Sequence, residues 1–107
     1  MAKYLMQVTY SDSALAELVS HPQDRGAVIS ELFERLGGSV EVFYHAIGDC
    51  DVVLIAEFPD NETLSAILFA VRSTGAVKNL ETTTLLSREE AVNALRRASG
   101  SGYQPPG

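Results

Sequence analysis

The chain has 107 residues, 46% of them hydrophobic and 21% charged, with a formal net charge of −6. That length suits one domain built on one core, and the composition is ordinary for a globular protein. An acidic surface repels phosphate backbones and anionic lipids, so neither nucleic acid nor a membrane surface is an expected partner.

The single cysteine, Cys50, excludes an intrachain disulfide and any cysteine-rich zinc site. No apolar stretch approaches the roughly 18 residues needed to span a bilayer. The opening residues Met1-Ala2-Lys3-Tyr4-Leu5 lack a signal-peptide core and cleavage site, and a cytoplasmic location is the expectation.

Residues 3–10 alternate as a strand, with Tyr4, Met6, Val8 and Tyr10 on one face and Leu5, Gln7 and Thr9 on the other. Ser11 or Ser13 can cap a short helix through Leu15, Leu18 and Val19. His21-Pro22 interrupts it, since proline disfavours helix in the residue before it. Asp24 caps a second helix, whose Val28, Ile29, Leu32, Phe33 and Leu36 form one apolar stripe. Gly37-Gly38 ends it.

Residues 39–47 read as the second strand, followed by a hairpin around Gly48 and a third strand to Phe58. Pro59 stops that strand and Asp60 caps a helix that buries Leu64, Ile67, Leu68 and Val71, with Ala66 and Ala70 beside them. Gly75 closes this segment. The fourth strand runs from Val77 to about Leu86 and is rich in β-branched threonine. Ser87-Arg88-Glu89-Glu90 is a capping box that opens a last helix through Ala98. Residues 99–107 hold too little apolar surface to fold and are expected to be a disordered tail, leaving one domain over residues 1–98.

Strand, helix, strand, strand, helix, strand is a split βαβ: an α+β, ferredoxin-like βαββαβ fold with an antiparallel four-stranded sheet and an added C-terminal helix. Two helices cover one sheet face. Polarity assigns Met6, Val8, Val40, Val42, Leu54 and Ala56 to that face. It assigns Gln7, Glu41, Phe43, His45, Asp51, Val53, Ile55 and Glu57, among others, to the open one. This pairing needs an odd hairpin loop or a bulge. A two-residue Gly48-Asp49 turn would instead set Phe43 and His45 opposite Leu54 and Val52, and one slip inverts a whole strand. A bare apolar face invites aggregation in a monomer, so a homodimer or larger oligomer is expected, with a cleft on that face for a small organic molecule.

Lys3-Tyr4-Leu5, Arg25, Leu36-Gly37-Gly38, Phe43-Tyr44, Gly48, Asp51-Val52-Val53, Pro59-Asp60, Ser73–Val77 and Thr82–Leu86 together resemble the GYD domain family over about residues 3–90. Cys50 stands where the family's signature has tyrosine, so a role for that phenol is lost or passes to another residue such as Tyr44. The resemblance implies a fold of the dimeric α+β barrel type. Effector domains of feast/famine regulators are similar and bind small molecules at subunit interfaces. Other dimeric α+β barrels are isomerases, cofactor-independent monooxygenases or haem-degrading enzymes, and fold alone does not choose among these.

His45 is the foremost chemical candidate, as a general base or a ligand to metal or haem; the alternative is a histidine satisfied at an interface. Asp51 could orient it, the two serving as the acid–base pair of an enzyme, or could simply bond hairpin N–H groups. Gln7, Phe43, Tyr44 and Glu57 complete the expected ligand-binding set. Glu41 and Glu57 with His45 lack metal-ligand spacing, and no metal site is expected. Tyr4, Tyr10 and Tyr44 share the parity of the core. Cys50 has acidic neighbours on both sides and no cation near it in sequence, which argues against a nucleophile. No phosphate-binding glycine motif or hydrolase triad occurs, and nothing identifies a cofactor.

Overall fold

The computed structural model describes residues 1–107. Its elements are β1 (Ala2–Tyr10), α1 (Asp12–Ser20), α2 (Arg25–Arg35), β2 (Ser39–His45), β3 (Val52–Phe58), α3 (Asn61–Ser73), β4 (Val77–Leu85) and α4 (Arg88–Ser99). The strands form one antiparallel sheet in the order β2-β3-β1-β4. This is the α+β, ferredoxin-like arrangement anticipated above. No helix is long and apolar enough to cross a membrane.

The caps follow from local chemistry. Ser11, Asp24, Asp60 and Ser87 each accept a backbone N–H from the first turn of the helix they open. Glu90 returns the bond by accepting from the Ser87 N–H at 2.9 Å, which completes the box. These bonds hold the Asp60 and Glu90 carboxyls below their ordinary pKa values of 3.8 and 4.5. A lowered folded-state pKa adds stability that is present above the ordinary value and lost as pH falls through the folded one. Helical circular dichroism is therefore expected to be flat from pH 7 to about 5 and to fall below about pH 4.5, with an Asp60→Asn, Glu90→Gln variant losing part of that acid step.

Ten apolar residues form the core, on the face of the sheet that α2 and α3 cover. Tyr4, Met6 and Val8 of β1 lie opposite Ala56, Leu54 and Val52 of β3. Phe33 and Ile67 press on them from α2 and α3. Phe58 is fully buried, with its ring 5.6 Å from Tyr4 and 5.4 Å from Phe33. One core-side hydroxyl, Thr82 Oγ1, is buried without a partner. An unsatisfied buried hydroxyl costs about 1–3 kcal/mol, so Thr82→Val is expected to be neutral or stabilising, with an equal or higher denaturant midpoint.

Strand β2 departs from simple alternation. Ser39 and Val40 pair with Glu57 and Ala56, but Val42, Phe43, Tyr44 and His45 pair with Ile55, Leu54, Val53 and Val52. Glu41 is the extra residue of a β-bulge, and parity reverses beyond it. Phe43 and His45 therefore lie on the helix side, whereas Val42 and Tyr44 lie on the open side. This corrects all four placements. The connection from Ala46 to Asp51 is an even six residues, closed by Ala46 N–H donating to Asp51 O at 2.9 Å.

Helix α4 makes almost no contact with the other elements. The radius of gyration is 17.3 Å, against about 13 Å for a compact chain of this length. Val92 and Leu95 of α4 are exposed. Residues 100–107 are exposed and form no helix or strand.

Candidate functional site

Helices α2 and α3 cross the sheet without closing on each other, and a cavity of about 330 Å³ lies between them. Its floor is the helix side of the sheet: Met6, Val8, Val52, Leu54 and Leu80, with Phe43 at the β2 edge. Val28, Ile29 and Leu32 form the α2 wall, and Ala70, Val71 and Thr74 the α3 wall. Gly26 lets the start of α2 approach Phe43, since a Cβ there would lie 3.2 Å from the ring. Fifteen of the eighteen lining residues are hydrophobic, so the space favours an apolar guest.

Two of the polar lining groups come together, while Arg35 lines the cavity from the other end of α2. Tyr10 closes β1 and Arg25 opens α2, and both line the cavity. Burial pushes the Tyr10 phenol above its ordinary pKa of 10, while the neighbouring guanidinium of Arg25 pulls the other way. The phenol is a neutral donor at physiological pH. Its backbone is fixed by the hairpin, because Asp51 Oδ2 accepts the Tyr10 N–H at 2.9 Å and Asp51 N–H donates to Val8 O at 2.8 Å. Asp51 thus ties the hairpin to the end of β1 through a backbone N–H outside the hairpin, rather than through the hairpin's own N–H groups.

The residues singled out from sequence separate into three places. Phe43 lines the cavity. His45 and Asp51 lie beside it in a shallower recess under α1, shared with Tyr10 and Arg25. His45 is exposed and stands edge-on to Phe43 with centroids 5.6 Å apart. No hydrogen bond or ion pair joins His45 to Asp51, and Asp51 Oδ2 is taken by the Tyr10 N–H. Gln7, Tyr44 and Glu57 lie on the opposite, open side of the sheet, in register with Val53 or Lys3. Tyr44 is 67% exposed rather than part of the core. Three or more metal-ligating side chains converge nowhere.

The apolar cavity is therefore on the helix side, not on the open face where the sequence placed the cleft. A wider groove of about 710 Å³ does border the open face, between Lys3, Glu41, Ile55 and the first turn of α4. Half of its lining is polar, and none of the six residues expected to bind a ligand borders it, although Glu41 does. Tyr10 and Arg25 were missed as a site. The available signal was Arg25 itself, a cation in the first turn of a helix, where the macrodipole disfavours it.

The GYD domain family model matches residues 4–95. No curated protein matches the chain in sequence. Among solved structures, MtbAldR is similar with a TM-score of 0.58 at 18% identity, over 81% of this chain and 54% of that one. A transcriptional regulator from Neisseria meningitidis, solved as a complex with L-Met, gives 0.52 at 15% identity, over 81% and 51%. FFRP-DM1 gives 0.50 at 13% identity, over 80% and 100%. The chain spans about half the length of the first two proteins. At these identities the likeness establishes the fold.

Proposed function

Starting from a chain that belongs to the GYD domain family, we propose an oligomeric small-molecule-binding module whose ligand sits between α2 and α3. The observation that carries this reading is the 330 Å³ apolar cavity, in which Tyr10 and Arg25 stand together and Thr74 and Arg35 are the other polar lining groups. Apolar walls supply affinity and a few fixed polar groups supply orientation, the usual division of labour in ligand sites. The Neisseria regulator's bound L-Met offers one precedent for a small organic ligand on this fold. The alternative, an enzyme using His45 with Asp51 as its acid–base pair, has less support, since one Asp51 oxygen accepts the Tyr10 N–H.

Ala70 lines the cavity from the exposed side of α3, so Ala70→Trp fills the cleft without cutting into the core. Titration with 4-phenylbutanamide, followed by saturation-transfer NMR, is expected to show binding to the wild-type protein. The variant should bind at least about tenfold more weakly, a loss of roughly 1.4 kcal/mol, with an unchanged circular dichroism spectrum. Equal binding by a folded Ala70→Trp protein would remove the cavity as the site.

A further inference from the structure

We infer that the natural ligand of this cavity is an amphipathic monocarboxylate of about a dozen non-hydrogen atoms, its apolar end between α2 and α3 and its carboxylate on the Arg25 guanidinium. The inference rests on the reading of the cavity as a ligand site and adds the chemical class that the site selects.

Charge is the first argument. The chain carries 14 acidic and 8 basic residues, yet the only charged residues lining the cavity are two arginines, Arg25 and Arg35. No carboxylate lines it. An acidic protein that keeps acids away from its main apolar space and sets cations there has the polarity of an anion site.

The two arginines are not equivalent. Arg35 is exposed and already paired with Glu31 on the next turn, at 3.4 Å. Arg25 is half-buried and in no ion pair; its Nη1 donates to the neutral Gln23 Oε1 at 2.9 Å. Asp51, the acid that shares the side recess with it, spends Oδ2 on the Tyr10 N–H. A partly desolvated guanidinium beside apolar walls gains from a counter-charge that the chain does not provide. Arg25 is the first residue of α2, whose end is already capped by the Asp24 carboxylate accepting the Ala27 N–H at 3.2 Å, so the preference for an anion rests on the guanidinium rather than on the helix dipole.

Geometry then narrows the anion. A guanidinium presents two parallel N–H groups that match the two oxygens of a carboxylate. The Tyr10 phenol stays protonated, since its pKa is shifted upward, and can donate a further bond. One free cation matches one negative charge. Volume sets the remainder: about 330 Å³ corresponds to roughly eleven waters at about 30 Å³ each.

The test compares 4-phenylbutanoate with its amide, which has the same skeleton without the charge. Calorimetric titration of the wild-type protein is expected to give about 10- to 100-fold tighter binding of the acid, the range for a hydrogen bond to a charged group. Arg25→Gln should erase that preference, so that the variant binds acid and amide with equal affinity. Equal affinity of acid and amide for the wild-type protein would overturn the carboxylate assignment and leave the cavity reading standing; this comparison needs no variant to fold. A preference that survives in Arg25→Gln would overturn the role of Arg25. Absence of binding by both probes would overturn the cavity reading and the ligand class together.

Discussion

Replacing Phe58 with alanine is expected to lower the unfolding free energy by about 3–5 kcal/mol, the range for deleting a buried aromatic ring. Phe58 is 0% exposed and ends β3 between two other rings, Tyr4 on the neighbouring strand and Phe33 on α2. The site has little means of collapsing into the void. Gly38 lies over the ring so closely that a Cβ there would be 2.6 Å from Phe58 Cδ1, and glycine has no side chain to move in. The core holds only ten buried apolar residues, so a domain of this kind has few other contacts to compensate, within a total of roughly 5–15 kcal/mol. At about 4–8 °C per kcal/mol for a domain near 100 residues, the calorimetric midpoint should drop by at least about 12 °C. A drop of a few degrees would show that the three-ring cluster does not anchor α2 to the sheet.

Caps and core parity were legible because both are written locally. Asp24, Asp60 and the Ser87–Glu90 pair each act within three residues of themselves, and Tyr4, Met6 and Val8 keep period two against a regular partner. The facing of the second strand beyond Glu41 was not legible, for the opposite reason. Its parity depends on the bulge at Glu41, which no glycine or proline marks. The contact that accompanies the bulge is distant in sequence: Lys3 Nζ meets Glu41 at 3.0 Å and Glu57 at 3.6 Å. One inserted residue carried His45 and Phe43 to the helix side and Tyr44 to the open side. The cavity escaped notice for a related reason. Its walls read as two ordinary apolar helix stripes, and nothing in either stripe states that the helices stand apart. Only the meeting of Tyr10 with Arg25, from separate elements, marks one end of the gap as different.

The correction to β2 sharpens the expectation for the open face. Across the sheet, Val42, Ile55 and Leu5 now stand in one row ending at Thr83. This is a continuous apolar band with no helix over it. Beside it, Lys3 is matched to Glu41 and Glu57 within the same chain, so the charges at that end are already paired and do not oppose a second copy. We propose that another copy of this chain covers the band, and Ile55→Lys tests it at the centre. In a solvated monomeric sheet such a change is worth only about ±0.5 kcal/mol. In a subunit interface it buries an unpaired ammonium and costs about 3 kcal/mol or more, which weakens association at least about 100-fold. Sedimentation equilibrium in the low micromolar range should therefore find the wild-type protein dimeric or larger and Ile55→Lys monomeric, with matching circular dichroism. A wild-type protein that stays monomeric at ~100 μM would end the interface reading. The ligand cavity lies on the other side of the sheet from this band. The monomeric variant should consequently keep its affinity for 4-phenylbutanamide, which separates assembly from binding.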